Sequence, residues 1–236
     1  MTVRSDDARA GAGGASTVFI VDDDPVVCAV VTRAAASVCL AAEAYASGAA
    51  ALAGIRADRS GCLVLDLRLP DLDGFALLAA LRARGVVLPV IILTGYADVE
   101  TAVRALRAGA FDFLEKPVGA QMLLERLQAA VALDAEQRAQ ATRLLEFSVR
   151  IGRLTRRERE VMDLVIAGRS SRDIAAALAL SPKTVETHRA RLMSKTGAAS
   201  LAELIRLGLL VGGDPERLAV EPAAAYGTPP QGGARR

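Results

Sequence analysis

Asp66 ends the run Leu63-Val64-Leu65-Asp66-Leu67-Arg68-Leu69-Pro70, in which apolar residues lead straight into one carboxylate. Such a carboxylate can attack a phosphoryl group, or it can cap a turn. Taken alone, the two readings weigh equally. Asp22-Asp23-Asp24 follows a second apolar run, Thr17–Val21, and precedes Pro25. Adjacent carboxylates repel one another unless a cation sits among them. Hard oxygen donors without His or Cys suit Mg²⁺; the alternative is a helix N-terminus acidified to match its dipole. Thr94 stands after a further apolar run, Pro89–Leu93, and Lys116 after a weaker strand signal, Phe111-Asp112-Phe113-Leu114. Lys116 can pair with Asp66 and later with a phosphate, and the Thr94 hydroxyl can donate to a phosphoryl oxygen. Lys116-Pro117 is a candidate cis bond that would aim the lysine. No Gly-rich phosphate loop accompanies these residues, so ATP is not the expected direct donor.

These groups can meet only if the apolar runs are strands of one sheet. A run without polar alternation reads as a strand buried on both faces. Between the runs lie helical stretches: Pro25 to about Ser37, Ser47 to about Arg56, a helix capped by Asp73, one capped by Asp98, and one from about Ala120. With a short second strand at Leu40–Tyr45, the order is βαβαβαβαβα. That order predicts a doubly wound α/β domain with five parallel strands. Asp22, Asp23, Asp66, Thr94 and Lys116 then all fall at carboxyl ends of strands, the edge where open α/β sheets keep their sites.

The chain has 236 residues, no tryptophan and three cysteines, enough for two small domains. Cys28, Cys39 and Cys62 form no C-x-x-C pair and read as reduced, buried residues of a cytosolic protein. No apolar run is long enough to cross a bilayer, so no membrane partner is expected. Residues 1–16 read as a disordered lead-in, and 212–236, rich in Pro, Gly and Ala, as a disordered tail.

Residues 17–133 form the first expected domain and 134–152 a helical linker, with helix continuity left open. From 153 to 211 Arg and Lys outnumber Asp and Glu, whereas the first domain has the opposite balance. A basic second half suggests nucleic acid. Capping boxes at Thr155–Glu158 and Ser200–Glu203, a cap at Ser170 or Ser171, and Ser181-Pro182 open four helices. A short turn at Ala179-Leu180 joins the second to the third, the layout of a helix-turn-helix. Ile174, Leu178, Val185 and Leu192 would hold the pair together. The polar face of the third helix carries Lys183, Thr184, Glu186, Thr187, Arg189, Arg191 and Lys195. Its cations would find phosphates, and Glu186 and Thr187 can reach base edges. His188, the one histidine, reads as a packing or phosphate contact.

Two resemblances follow. Val21-Asp22-Asp23-Asp24-Pro25, Asp66 with Leu69-Pro70-Asp71-Leu72-Asp73-Gly74, Thr94-Gly95-Tyr96 and Lys116-Pro117 resemble the receiver domain of two-component response regulators. Leu154–Val161, Ser171–Ala175 and Ser181–His188 resemble the LuxR-type helix-turn-helix. Together the chain is similar to regulators of the FixJ/NarL class, the FixJ branch most of all. The resemblance implies a flavodoxin-like receiver followed by an all-α four-helix DNA-binding domain. It implies Asp66 as phosphoacceptor, and Mg²⁺ held by Asp22, Asp23, Asp66 and the backbone carbonyl of Arg68. Thr94 and Lys116 would contact the phosphoryl group, with Phe113 as the aromatic switch. It further implies a sensor histidine kinase as donor, promoter double-stranded DNA as target, and homodimers on phosphorylation. RNA polymerase is a further candidate partner, and the bacterial cytoplasm the expected setting. No enzymatic activity is expected beyond self-directed phosphotransfer and dephosphorylation: a dehalogenase-type phosphatase needs a second Asp where Arg68 stands. Output helices that bind protein instead of DNA remain the alternative.

Overall fold

The structure is a computed structural model, and it describes residues 16–95 and 98–212. Nearly all of the expected lead-in and tail, and Tyr96, lie outside the described residues. The described chain divides into two compact units, with the boundary between Ala139 and Gln140.

In the first unit, strands β1 (Thr17–Val21), β2 (Ala41–Tyr45), β3 (Gly61–Leu65), β4 (Val90–Thr94) and β5 (Asp112–Glu115) form one parallel sheet in the order β2-β1-β3-β4-β5. Helices α1 (Pro25–Ser37), α2 (Gly48–Gly54), α3 (Gly74–Ala83), α4 (Val99–Arg107) and the start of α5 (Ala120–Ile151) fill the crossovers and the last connection. Alternation along each strand makes two cores. Phe19, Val21, Leu63, Leu65, Val90 and Ile92 face α2, α3 and α4 through Ala51, Leu77, Leu81 and Ala105. Val18, Ile20, Cys62, Val64, Ile91 and Leu93 face α1 and α5 through Val31, Ala35, Leu123 and Leu127. Burying each such Leu, Ile or Phe contributes about 1.5–3 kcal/mol. β1, β3 and β4 are buried along their whole length, as their unbroken apolar runs require. β2 lies at an edge and is partly exposed.

The second unit comprises the end of α5, then α6 (Arg156–Ile166), α7 (Ser171–Leu178), α8 (Pro182–Thr196) and α9 (Leu201–Val211). Thr155–Glu158 closes a capping box, and so does Ser170–Asp173. At the fourth helix the expectation is corrected: Ser200 caps Glu203 N, but the Glu203 carboxylate accepts from Ala199 N instead of Ser200 N. Ala179 adopts the left-handed conformation that ends α7 and turns the chain into α8.

Of the stretch expected as a linker, 134–151 is helix; its first residues are tied to the first unit by hydrogen bonds, and its last belong to the core of the second. Asp134, buried, accepts from Gly61 N at 2.8 Å and pairs with Arg138, which also donates to the Arg59 carbonyl. Phe147 and Ile151 are buried in the second core with Val161, Ile174, Val185 and Leu192. The cysteines, expected to be buried, differ at two positions: Cys28 is half-buried and Cys39 exposed. Cys62 is buried, with its thiol pushed up to about 12, and Cys39 sits at φ +57 just past α1.

Candidate functional site

The order β2-β1-β3 makes the chain leave β1 to one side and return on the other, so a crevice opens beyond the carboxyl ends of β1 and β3. Asp22 follows β1 and Asp66 follows β3. Both backbones are fixed, with Asp66 N donating to the Val21 carbonyl and Asp22 N to the Tyr45 carbonyl. Asp22 is 2 % exposed and Asp66 8 %, whereas Asp23 is open to solvent. One carboxylate oxygen from each of Asp22, Asp23 and Asp66 lies within 4.8 Å of the others.

Asp24 serves the other expectation for the acidic triplet. It caps α1 and accepts from Val26 N at 2.7 Å, with Pro25 at the first helical position. Lys116, just past β5, reaches across the crevice. Its Nζ lies 2.6 Å from Asp22 Oδ2 and 2.6 Å from Asp66 Oδ2. The Lys116–Pro117 peptide is cis. Burial pushes the Asp22 carboxyl up from its ordinary range, against the lowering effect of Lys116. Burial opposes the Lys116 charge, but the two carboxylates outweigh it and raise its pKa.

Thr94 ends β4, fully buried, and its carbonyl accepts from Lys116 N at 2.9 Å. Phe113 sits beside Ile92 in the register of β4 and β5 and packs, half-buried, on the core facing α3. Arg68 N donates to Asp66 Oδ1 at 3.1 Å. The crevice therefore gathers Asp22, Asp23, Asp66, Thr94, Lys116 and the Arg68 backbone. Its donors are hard oxygens facing one ammonium, a set that fits Mg²⁺.

In the second unit, Ile174, Val185 and Leu192 are buried between α7 and α8, with Leu178 packed against them. The expected contact residues of α8 divide into two groups. Lys183, Glu186, Thr187 and Arg191 are exposed. Of the others, Thr184, His188 and Arg189 are half-buried, and Lys195, though exposed, is engaged by the domain's own carboxylate. The Thr184 hydroxyl lies 2.8 Å from Ser181 Oγ in the cap. Arg189 donates to Ser171 Oγ at 3.2 Å, and Lys195 Nζ lies 2.7 Å from Glu158 Oε2. His188 is half-buried, and its Nδ1 makes no hydrogen bond among the described residues. The physical reason is the helical period: residues three or four apart share a face, so 183, 186, 187 and 191 lie opposite buried Val185 and Leu192.

Glu158 is a structural residue that sequence reasoning assigned only to a cap. Hydrogen bonds from Lys195 and Thr155 hold its carboxyl down at about 2. Asp71 is another, accepting from Gly48 N and Ala49 N at 2.9 and 2.8 Å. Neither partner is marked in the sequence, since they lie 37 and 23 residues away.

Known proteins share this pattern along most of the chain. Residues 18–128 match the response regulator receiver domain, and residues 152–207 the bacterial regulatory proteins of the luxR family. The transcriptional regulatory protein FixJ of Azorhizobium caulinodans is 44% identical over 174 residues, covering 73% of this chain and 82% of that one. The transcriptional regulatory protein TdiR of Thauera aromatica is 39% identical over 193 residues, covering 82% and 85%. Among solved structures, the response regulator StyR aligns over 82% of this chain and 98% of its own, at 34% identity and a TM-score of 0.66. Full-length FixJ from B. japonicum aligns over 84% and 97%, at 34% identity and a TM-score of 0.50. With both family matches and a relative of this identity along most of its length, the chain belongs to the DNA-binding transcriptional response regulators of the FixJ type.

Proposed function

We propose that Asp66 accepts a phosphoryl group from a sensor histidine kinase and that this event controls promoter binding by α8. The carrying observation is Lys116 Nζ, equidistant from Asp22 and Asp66. One ammonium faces three carboxylates, so the crevice keeps excess negative charge that suits a divalent ion. Asp22, Asp23, Asp66 and the Arg68 carbonyl would hold Mg²⁺, which when bound neutralises charge on the phosphoryl oxygens.

An Asp66 carboxylate oxygen attacks phosphorus. The O–P bond forms as the N–P bond of the donor phosphohistidine breaks, and the imidazole leaves with the electron pair. Lys116 exchanges Asp66 for a phosphoryl oxygen, and the Thr94 hydroxyl donates to another. The product carries roughly −1.5 to −2 charges. Thr94 moves toward it, Phe113 turns into the space released, and the surface of α4 and β5 changes. Val99, Val103 and Leu106 already expose apolar side chains on α4. That stripe supports dimerisation through this face, with α9 pairing on DNA.

On the duplex, Lys183 and Arg191 take phosphates while Glu186 and Thr187 read base edges. Arg189, Lys195, Thr184 and His188 serve the domain's own packing first. We propose a receiver at 17–133, a helical linker at 134–152 and a DNA-binding domain at 153–211, with the boundary between the two compact units falling inside the linker. The bacterial cytoplasm is the proposed setting, with RNA polymerase a further partner of the bound dimer.

The test is a gel shift on genomic fragments, with and without beryllofluoride and Mg²⁺, for wild type and Asp66→Ala. Specific binding that tightens with beryllofluoride in wild type alone is the expected result. Equal binding in every condition removes control by Asp66. No binding in any condition moves the output helices toward a protein target.

A further inference from the structure

The loop from Asp66 to Gly74 must present two groups at once, the Asp66 carboxylate and the Arg68 carbonyl. Its two ends are well fixed. Asp66 N donates to the Val21 carbonyl, and Arg68 N to Asp66 Oδ1. At the far end Gly74 N donates to the Leu67 carbonyl at 2.9 Å, and Arg68 and Asp73 form an antiparallel bridge. Gly74 has no substitute there: a Cβ would lie 2.6 Å from the Asp66 carbonyl oxygen and 2.7 Å from Leu67 Cα.

The crest, Leu69-Pro70-Asp71-Leu72, has a different support. Asp71 Oδ1 accepts from Gly48 N at 2.9 Å, and Oδ2 from Ala49 N at 2.8 Å. These N–H groups belong to the first turn of α2, which has no intrahelical acceptor for them. Leu72 packs over the same turn, with its Cβ 3.0 Å from where a Cβ on Gly48 would stand. Three residues before Gly48, the Tyr45 carbonyl accepts from Asp22 N at 3.1 Å. A ring therefore closes: Asp22, the end of β2, the start of α2, Asp71, the loop, and Asp66. The two acidic strand ends are joined around the crevice as well as through the sheet.

We propose that Asp71 is a positioning residue, which sets the Arg68 carbonyl and the Asp66 carboxylate at the spacing a divalent cation needs opposite Asp22. The inference rests on the reading of Asp66, Asp22 and Arg68 given above. Asp71 itself touches neither cation nor phosphoryl group. Its two bonds to backbone N–H groups also hold its carboxyl below the usual range, so it remains an acceptor throughout the working pH range.

The test uses the full chain as wild type, Asp71→Ala and Asp71→Asn. Mg²⁺ alone is titrated by calorimetry, and the initial rate of labelling from acetyl phosphate is measured against Mg²⁺ concentration. Thermal midpoints are recorded alongside. In Asp71→Ala the Mg²⁺ dissociation constant is expected to rise about tenfold, with the labelling rate at saturating Mg²⁺ within about threefold of wild type. Asp71→Asn keeps one acceptor oxygen and should fall between the two, and it decides the matter if the alanine variant does not fold. A lowered midpoint with unchanged Mg²⁺ affinity in Asp71→Asn would overturn the proposal, since a purely structural tie behaves that way. Failure of wild type to take up label or Mg²⁺ overturns the underlying reading and this one with it. Labelled wild type with indifferent variants overturns this one alone.

Discussion

Lys116 holds two carboxylates at once, and that geometry makes its loss specific. Removing the ammonium leaves Asp22 and Asp66 facing each other without a counter-charge, and leaves the incoming phosphoryl oxygens one donor short. Removing a preorganised donor of this kind costs roughly 10²-fold in rate. Lys116→Ala should therefore slow labelling from a small phosphodonor by about that factor while Mg²⁺ binding is retained, a split that calorimetry and labelling read separately. Glu158 is the corresponding residue of the second unit, buried and held at about 2 by Lys195 and the Thr155 cap. A folded-state pKa below the unfolded value adds stability above the unfolded pKa of about 4.3 and loses it as pH falls toward 2. Glu158→Gln should lower stability near neutrality by about 1–3 kcal/mol. Between pH 5 and pH 2 the gap between variant and wild type should then close. Denaturant melts at several pH values check this; a gap that stays constant with pH would contradict the assignment.

At the level of elements, the strands β1, β3 and β4 were legible because they are short, apolar and bounded by Asp, Thr, Gly or Pro. The helices were legible because Asp24, Asp73, Asp98, Thr155 and Ser181 sit where caps belong. The crevice was legible for the same reason, since Asp22, Asp66, Thr94 and Lys116 each stand at the end of a strand. What the sequence hid are ties between distant elements. Asp134 in the middle of α5 reads as a solvated helix face, and its partner Gly61 lies 73 residues away. The contact exists because Gly61 begins β3 at φ +132, where any Cβ would collide with the Thr17 carbonyl oxygen. Asp134→Ala leaves the Gly61 N–H without this acceptor and Arg138 without its carboxylate. It should cost the receiver about 2–4 kcal/mol, measured as a lower denaturant midpoint of the full chain. Exposed Glu136 is the control, since Glu136→Ala should stay within about 0.5 kcal/mol. In α8 the hidden part was which cations were already engaged. Composition cannot distinguish Lys183, open to solvent, from Lys195, bound to Glu158.

For the whole molecule, the charge division between an acidic receiver and a basic output unit sets how binding responds to salt. Each phosphate contact releases counterions, and the logarithm of affinity falls with that of salt by about 0.9 per contact. Lys183→Ala or Arg191→Ala should flatten that slope by about one unit per subunit bound, with little change in sequence preference. Glu186→Ala should relax sequence preference at one position and leave the slope unchanged. Fluorescence anisotropy on one operator at several salt concentrations separates the two behaviours. The sheet of the receiver bears on a different property, its behaviour in a crowded solution. An outer strand offers its backbone as a template on which another chain can add and aggregate. β2 and β5 are the outer strands, and they are the two that carry charge: Glu43 beside Arg59 in β2, and Asp112, beside Arg126, and Glu115 in β5. The apolar strands that would polymerise most readily are kept inside, so the concentration at which this protein stays dispersed is set at its sheet edges.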